Sequence, residues 1–379
     1  MADFDPRIPY NGLPDLPPNL DVETPRILKR CLEARVALEG LKTAGGLIPS
    51  QNVLINSIPL REAKDSSAIE NIVTTDDKLY HHAAAEEGDA DPATKETLRY
   101  RTALFEGFGD IQSRPISTAT AVKICRTIRA IDIDVRATPG TALRSSVSGD
   151  IIYTPPEGVT LLRDKLGNWE SYLNGNTDID PLIRMAIGHY QFEAIHPFTD
   201  GNGRTGRALN ILYLVDQGLL EIPVLYLSRY IIENKDDYYR LLRDVTEFGA
   251  WEPWIIYMLT AIEDTAKWTK AKIIAIKSLM DHTRDYISTV NPKIYSHELV
   301  ELVFAQPYCR IGHLTGSGIA QRKTASRYLK SLIDIGVLSE TQIGREKFFV
   351  HPKFLQLLMA DVNKFKLYGP SVTNIPGPN

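Results

Sequence analysis

Cysteine is scarce in this chain: Cys31, Cys125 and Cys309 are the only three in 379 residues, odd in number and far apart. That excludes a disulfide framework and any cysteine-based metal-ligand spacing, and it reads as reduced, buried thiols. No apolar run approaches the ~20 residues that a membrane span needs. The start, MADFDPRIPYNG, has neither the basic segment nor the apolar core of a signal peptide. The expectation is a cytoplasmic protein with no membrane partner. An excess of positive charge is missing too: the net charge of −4 gives no global affinity for nucleic acid, so any basic surface is local. Repeats and low-complexity tracts are absent. What remains, 43% hydrophobic and 24% charged residues, is the composition of a globular protein, and the length implies two or three domains.

Helical periodicity dominates. After a proline-rich arm (DFDPRIPYNGLPDLPPNL), apolar residues recur at helical spacing through Ile27, Leu28, Cys31, Leu32, Val36, Leu38 and Leu41. A further helix is expected to be interrupted by Pro59 and followed by a short helical piece from Ser66 to Ile72. Helices follow at PATKETLRYRTALFEGFGDI, STATAVKICRTIRAI, PLIRMAIGHYQFEAI and GRALNILYLVDQGLL, the last stopped by Gly218, and then at KDDYYRLLRDVTEFG and WEPW through DYI. Between them, turn residues Gly140, Gly149 and Asp150 beside Val147, Ile151, Ile152 and Tyr153 predict a β-hairpin. The class is mainly α with one small hairpin. Past STVNPKIYS, three helical segments and a hairpin turning at Gly344 resemble a winged helix-turn-helix, with Arg322, Lys323, Arg327 and Lys330 on one face of the third segment, the recognition helix of such a domain.

Between two of these helices stands HPFTDGNGRTGR, His196 to Arg207. GNGRTG matches G-x-G-x-x-G, and Glu221 lies near the place of a ribose-binding acid, but no β-strand precedes it, which argues against a dinucleotide fold. A Walker A loop is excluded because no Gly-Lys-Ser/Thr follows. His189 and His196 are not at the i, i+4 spacing of a zinc helix. Phosphate chemistry remains. A glycine turn before a helix gathers backbone N–H groups and the positive helix end, and Arg204 and Arg207 on the first turn call for an anion. Asp200 offers a hard oxygen to Mg²⁺, which travels with polyphosphate, and His196 can take a proton near neutral pH. Taken singly, these residues read as a cap, a turn and a solvated face; taken as one twelve-residue constellation, they read as a site.

The stretch resembles the signature of the Fic family, H-x-F-x-[D/E]-G-N-G-R-x-x-R, at every defined position, and SSAIEN (Ser66 to Asn71) is similar to that family's inhibitory motif [S/T]-x-x-x-E-[G/N]. The proline-rich start and the winged-helix tail resemble the subgroup that carries its inhibitory helix ahead of the signature. The resemblance implies a Fic-type helical bundle with a hairpin flap, divided into a region of residues 1–95 holding the inhibitory motif, a catalytic core over 96–285 and a winged-helix domain over 286–379. It implies transfer of AMP from ATP, with Mg²⁺, to a Ser, Thr or Tyr hydroxyl of a protein target.

Residue by residue, the resemblance makes His196 the general base, Phe198 a buried anchor and Asp200 the metal ligand. Gly201, Asn202, Gly203, Arg204, Thr205, Gly206 and Arg207 become the ATP-binding loop. Tyr238 and Tyr239 resemble the region of the adenine pocket, one of them core packing and the other a base contact. Ser66, Glu70 and Asn71 become the inhibitory set, Glu70 competing with the γ-phosphate for Arg207. The flap departs from the family, since RSSVSGDIIY is short and mostly small or polar. Other readings stay open at this point: removal of AMP or transfer of another phosphate-containing group by the same site, and a nucleotide-sensing regulator that binds DNA. Self-modification, a homodimer, and contact of the winged helix with DNA or protein stay open as partners.

Overall fold

The computed structural model describes residues 4–48, 50–84, 90–145, 148–343 and 346–369. After an irregular arm come α1 (Pro25–Gly45), α2 (Asn52–Ile55), α3 (Ile58–Ile69), α4 (Asp76–Ala84), α5 (Pro92–Ile111) and α6 (Thr118–Arg129). A hairpin of β1 (Leu143–Arg144) and β2 (Ile151–Tyr153) leads into α7 (Val159–Asn174), α8 (Pro181–Ile195), α9 (Asn202–Asp216), α10 (Leu227–Glu233), α11 (Lys235–Phe248) and α12 (Trp251–Val290). The last part is α13 (His297–Ala305), β3 (Tyr308–Cys309), α14 (Ile311–Gly316), α15 (Arg322–Asp334), β4 (Ser339–Ile343), β5 (Glu346–Val350) and α16 (Pro352–Met359). The chain forms two compact units, one of Met1–Lys42, Arg61–Thr74 and Asp91–Lys267, the other of Thr43–Leu60, Thr75–Ala90 and Trp268–Asn379. Val147 and Gly344, both expected in hairpins, lie outside the described residues.

The first unit is organised around α8 and α9. Leu182, Ile183, Met185, Ile187, Phe192, Ile195, Leu209, Ile211 and Leu212 are all buried, and no residue of either helix is fully exposed to solvent. Each such side chain contributes about 1.5–3 kcal/mol by leaving water. The helix starts are locally encoded. Asp180 caps α8 by accepting from the Leu182 N–H at 2.8 Å, and Asp91 caps α5 by accepting from Thr94 N–H at 2.9 Å, each followed by proline at the first helical position.

The arm is tied down by side chains that satisfy its backbone. Asn168 accepts from Leu16 N–H at 2.8 Å and donates to its carbonyl at 3.0 Å, while Gln191 donates to Pro14 O at 2.9 Å. The hairpin is antiparallel, pairing Leu143 with Tyr153 and Arg144 with Ile151.

Two expectations change. The break expected at Pro59 falls just before it, at residues 56 and 57 between α2 and α3; Pro59 itself sits in the first turn of α3, where its missing N–H is harmless, and that helix runs on to Ile69. The piece around Ser66 is thus the end of a helix and not the start of one. In α1, Ile27, Cys31, Leu38 and Leu41 are buried, but Leu28, Leu32 and Val36 are exposed.

In the second unit, β5 lies between β3 and β4, antiparallel to both. In α15, Ala325, Leu329 and Leu332 are buried, while Arg322, Lys323, Arg327 and Lys330 are exposed. No described helix is long and apolar enough to cross a membrane. The three cysteines are free and buried.

Candidate active site

The site begins where α8 stops. His196 is its C-cap, held in the left-handed conformation (φ 49°) with its N–H donated to Phe192 O at 3.0 Å, and Pro197 prevents the helix from continuing. Phe198 is fully buried. Its N–H donates to Asn202 Oδ1 and its carbonyl accepts from Asn202 Nδ2, both at 2.8 Å. The Asn202 amide therefore clamps the loop, and only the backbone of that residue is left for a ligand. Gly201, with φ 88°, is the N-cap that lets α9 restart after so short a loop. The N–H groups at this new helix end, with the positive end of its dipole, face one place.

Both motif arginines are paired, Arg207 with the Glu70 that the resemblance implied and Arg204 with a carboxylate that the sequence did not point to. Arg204, 1% exposed, donates to Glu96 Oε1 at 2.6 Å. Glu96 also accepts from Arg129, whose other nitrogen lies 3.0 Å from Asp200 Oδ2. Arg207, also 1% exposed, donates to Glu70 Oε1 at 2.8 Å, to Ser66 Oγ at 2.9 Å and to the Ser66 carbonyl at 2.8 Å. Burial pushes the Glu70 carboxyl up, but the charge and hydrogen bond of Arg207 outweigh that and hold it below its ordinary value. Burial pulls Arg207 down, and Glu70 more than offsets it.

Glu70 follows the C-terminal end of α3, where a carboxylate opposes the helix dipole. Arg207 and Lys235, which donates to Ile69 O at 2.6 Å, supply the balancing positive charge. Asn71 takes a left-handed conformation (φ 62°) just past the helix end. Gly203 is where Glu70 presses on the loop: a methyl group there would lie 2.2 Å from Glu70 Oε1. Thr205 and Gly206 are buried in the body of α9.

A cavity of about 290 Å³ opens between the hairpin and α11, with His196 at its rim. Leu143, Ile152, Tyr239 and Leu242 give it apolar walls. The tyrosine pair divides: Tyr239 lines the cavity, whereas Tyr238 is buried, its hydroxyl 2.9 Å from His189 Nε2. Burial, with the nearby charge of Arg136, pushes His196 down to about 4, so its ring is neutral at pH 7. Its Nδ1 is buried with no partner among the described residues.

Asp200 is the only motif carboxylate at the helix end, and its side chain is 58% exposed. No cluster of three or more His, Cys, Asp or Glu among the described residues could hold a metal by itself. One exposed carboxylate still fits Mg²⁺, which binds through one or two such groups when phosphates complete its shell. Sequence reasoning missed Glu96, Arg129, Arg136 and Glu193. For Glu193 a signal existed: a carboxylate inside the apolar run GHYQFEAIH, three residues before His196.

Three family models match the chain: the Fic/DOC family N-terminal model over residues 28–109, the Fic/DOC family model over 93–214, and the C-terminal domain of SoFic-like protein adenylyltransferases over 279–354. The chain is 34% identical over 140 residues to protein adenylyltransferase fic-1 of Caenorhabditis elegans, covering 36% of this chain and 24% of that protein. It is 38% identical over 93 residues to the probable protein adenylyltransferase aq_aa38 of Aquifex aeolicus, covering 24% and 26% of the two chains. The matched stretches thus span about a quarter of these relatives. The crystal structure of a Fic family protein from Desulfovibrio desulfuricans shares the fold, with a TM-score of 0.55 at 19% identity over 89% of this chain and 98% of that one.

Proposed function

The chain belongs to the Fic family, and from that premise we propose that the site at the start of α9 transfers AMP from ATP to a Ser, Thr or Tyr hydroxyl of a protein. The observation that carries this reading is the junction of α8 and α9, where a neutral histidine faces a helix N-terminus, two buried arginines and an apolar cavity. Phosphoryl chemistry asks mainly for position and charge, and this junction offers both. The Gly201 to Gly203 amides would donate to phosphate oxygens, and Arg204 and Arg207 would hold the outer phosphates. Tyr239 would lie against the adenine. His196 would take the proton of the target hydroxyl as its oxygen bonds to the α-phosphorus and the bond to the β-phosphate oxygen breaks, releasing pyrophosphate. Asp200 would hold Mg²⁺, which supplies charge neutralisation to the phosphates when bound.

Glu70 is read as the brake. Arg207 cannot serve the γ-phosphate while its Nη2 is on Glu70, and the carboxylate lies against Gly203, where a phosphate would approach. Releasing Glu70 leaves a buried guanidinium that favours an incoming anion. In this reading residues 1–95 hold the brake, 96–285 the core and 286–379 a winged helix. Transfer of labelled AMP by the full chain, with and without His196, tests the proposal, and self-modification appears in the same assay as label on the enzyme.

A second reading concerns the last part of the chain. Residues 286–379 hold eleven Lys and Arg against six Asp and Glu, although the whole chain is acidic. Arg322, Lys323, Arg327 and Lys330 on α15 carry no salt bridge among the described residues. Such a helix suits the phosphates of a DNA duplex.

A further inference from the structure

Resting on the nucleotide reading above, we infer that Glu193 is a specificity residue whose carboxylate accepts a hydrogen bond from a ribose hydroxyl of the bound nucleotide. Glu193 lines the cavity between the hairpin and α11 beside His196. Its Oε1 is buried and has no hydrogen-bond partner among the described residues. That oxygen lies against the α9 backbone, where a methyl group on Gly206 would come within 2.5 Å of it. Two other polar groups of the lining satisfy each other, Tyr190 Oη and Thr246 Oγ1 being 3.0 Å apart, and Tyr153 Oη donates to Ala194 O at 2.7 Å. Among the described residues Glu193 thus brings to the wall of the cavity a carboxylate with one buried, unmatched oxygen. A buried acceptor without a donor is costly enough that its presence beside a binding space calls for a ligand donor. Burial also pushes its carboxyl up to about 7, a perturbation of the kind that collects at functional sites.

The position selects the donor. Glu193 precedes His196 by three residues on α8, which is about 4.5 Å along the axis. In the proposed transfer His196 addresses the hydroxyl that attacks the α-phosphorus, and the group bonded to that phosphate on the nucleoside side is the ribose. The apolar walls at Leu143, Ile152, Tyr239 and Leu242 suit the flat face of a base. A carboxylate one turn from His196 meets the sugar edge. The adenine 6-amine is the other donor that the nucleotide could present, and the test separates the two.

The test uses the full chain carrying Glu70→Gly, so that Glu70 does not compete, titrated calorimetrically with ATP, 2′-deoxy-ATP, 3′-deoxy-ATP and purine riboside triphosphate, which lacks the amine. ATP is expected to bind at least about tenfold more tightly than one of the deoxy analogues, because a site built for a hydroxyl rejects a ligand without it. Purine riboside triphosphate is expected to bind within about threefold of ATP. Adding Glu193→Ala, or the shape-conserving Glu193→Gln, should shrink the deoxy penalty to less than about threefold for the alanine and to an intermediate value for the glutamine. Equal affinity for ATP and both deoxy analogues would overturn the inference, and so would a loss confined to purine riboside triphosphate. That comparison of nucleotides needs no change at position 193, so it holds even where a Glu193 variant fails to fold. Failure of the Glu70→Gly protein to bind any of the four would overturn the nucleotide reading itself, an outcome distinct from binding without sugar discrimination.

Discussion

Arg207 and Glu70 form a 2.8 Å ion pair in which the arginine is buried and the carboxylate is one-third exposed. The same guanidinium also donates to Ser66 at two places, so the end of α3 is held to α9 through one side chain. The pair neutralises a charge that α9 would otherwise bury alone, and it occupies the arginine that a terminal phosphate would need.

Glu70→Gly should therefore tighten ATP binding at least about tenfold, about 1.4 kcal/mol. It should also enlarge the rise in melting temperature that ATP produces, because the vacated arginine gains a counter-ion on binding. Adding Arg207→Ala should remove most of the gain. Calorimetric titration of the single and double variants checks this. An unchanged ATP affinity in folded Glu70→Gly would mean that α3 is structural only.

The anchoring of α3 predicts a pH dependence. Glu62 is fully buried on that helix, accepting from Ser228 N–H at 2.8 Å, Ser228 Oγ at 2.6 Å and Tyr100 Oη at 3.0 Å. Burial pushes its carboxyl up to about 7, against the opposing pull of the Ser228 and Tyr100 hydrogen bonds, from an ordinary 4.5. Between those values the folded protein holds a proton that the unfolded chain releases. The contribution is full below about pH 4.5 and is lost as pH rises through about 7. Glu62→Gln, which is never charged, should flatten the dependence of urea-unfolding stability on pH between about 5 and 8. The flattening should be partial, because Glu193 is shifted in the same direction. An unaltered slope would contradict this account of Glu62.

The basic face of α15 predicts a salt effect. Duplex DNA should bind the full chain with an affinity that falls steeply between low and physiological salt, and Arg327→Ala should flatten the logarithmic slope by about one unit. Fluorescence anisotropy with a labelled duplex measures both. Binding that is insensitive to salt, or no binding to any duplex, would leave α15 a protein-contact surface.

Much of this arrangement was legible in the residues. The starts of α5 and α8 are written in Asp91-Pro92 and Asp180-Pro181, and the loop from His196 to Arg207 stands out because a cap, a turn and an anion-seeking helix start share twelve residues. Other parts were not legible, for physical reasons. In α7, Gly167 and Asn168 dilute the helical pattern of Leu162, Leu166, Trp169 and Leu173, and the short α4 and α10 show too few turns for periodicity to emerge. The partners of Arg204 could not be read at all, since Glu96 and Arg129 come from helices far away in sequence. Which of Tyr238 and Tyr239 enters the cavity depends on how α11 is rotated, and that is set by packing. Even the place of Glu70 along its helix is hidden, because Asp65 and Ser66 before it look like a helix start when Pro59 is taken as a break.

The central claim is that His196 drives AMP transfer at a site restrained by Glu70. The full chain with Glu70→Gly, incubated with Mg²⁺ and ATP labelled at the α-phosphate, should place label on itself or on an added protein target. The same protein carrying His196→Ala should bind ATP with little change and lose transfer by roughly 10²–10⁴-fold, the range of a general base. Transfer at full rate in folded His196→Ala, or no transfer by Glu70→Gly to itself or to any protein of a cell extract despite tight ATP binding, would contradict the account.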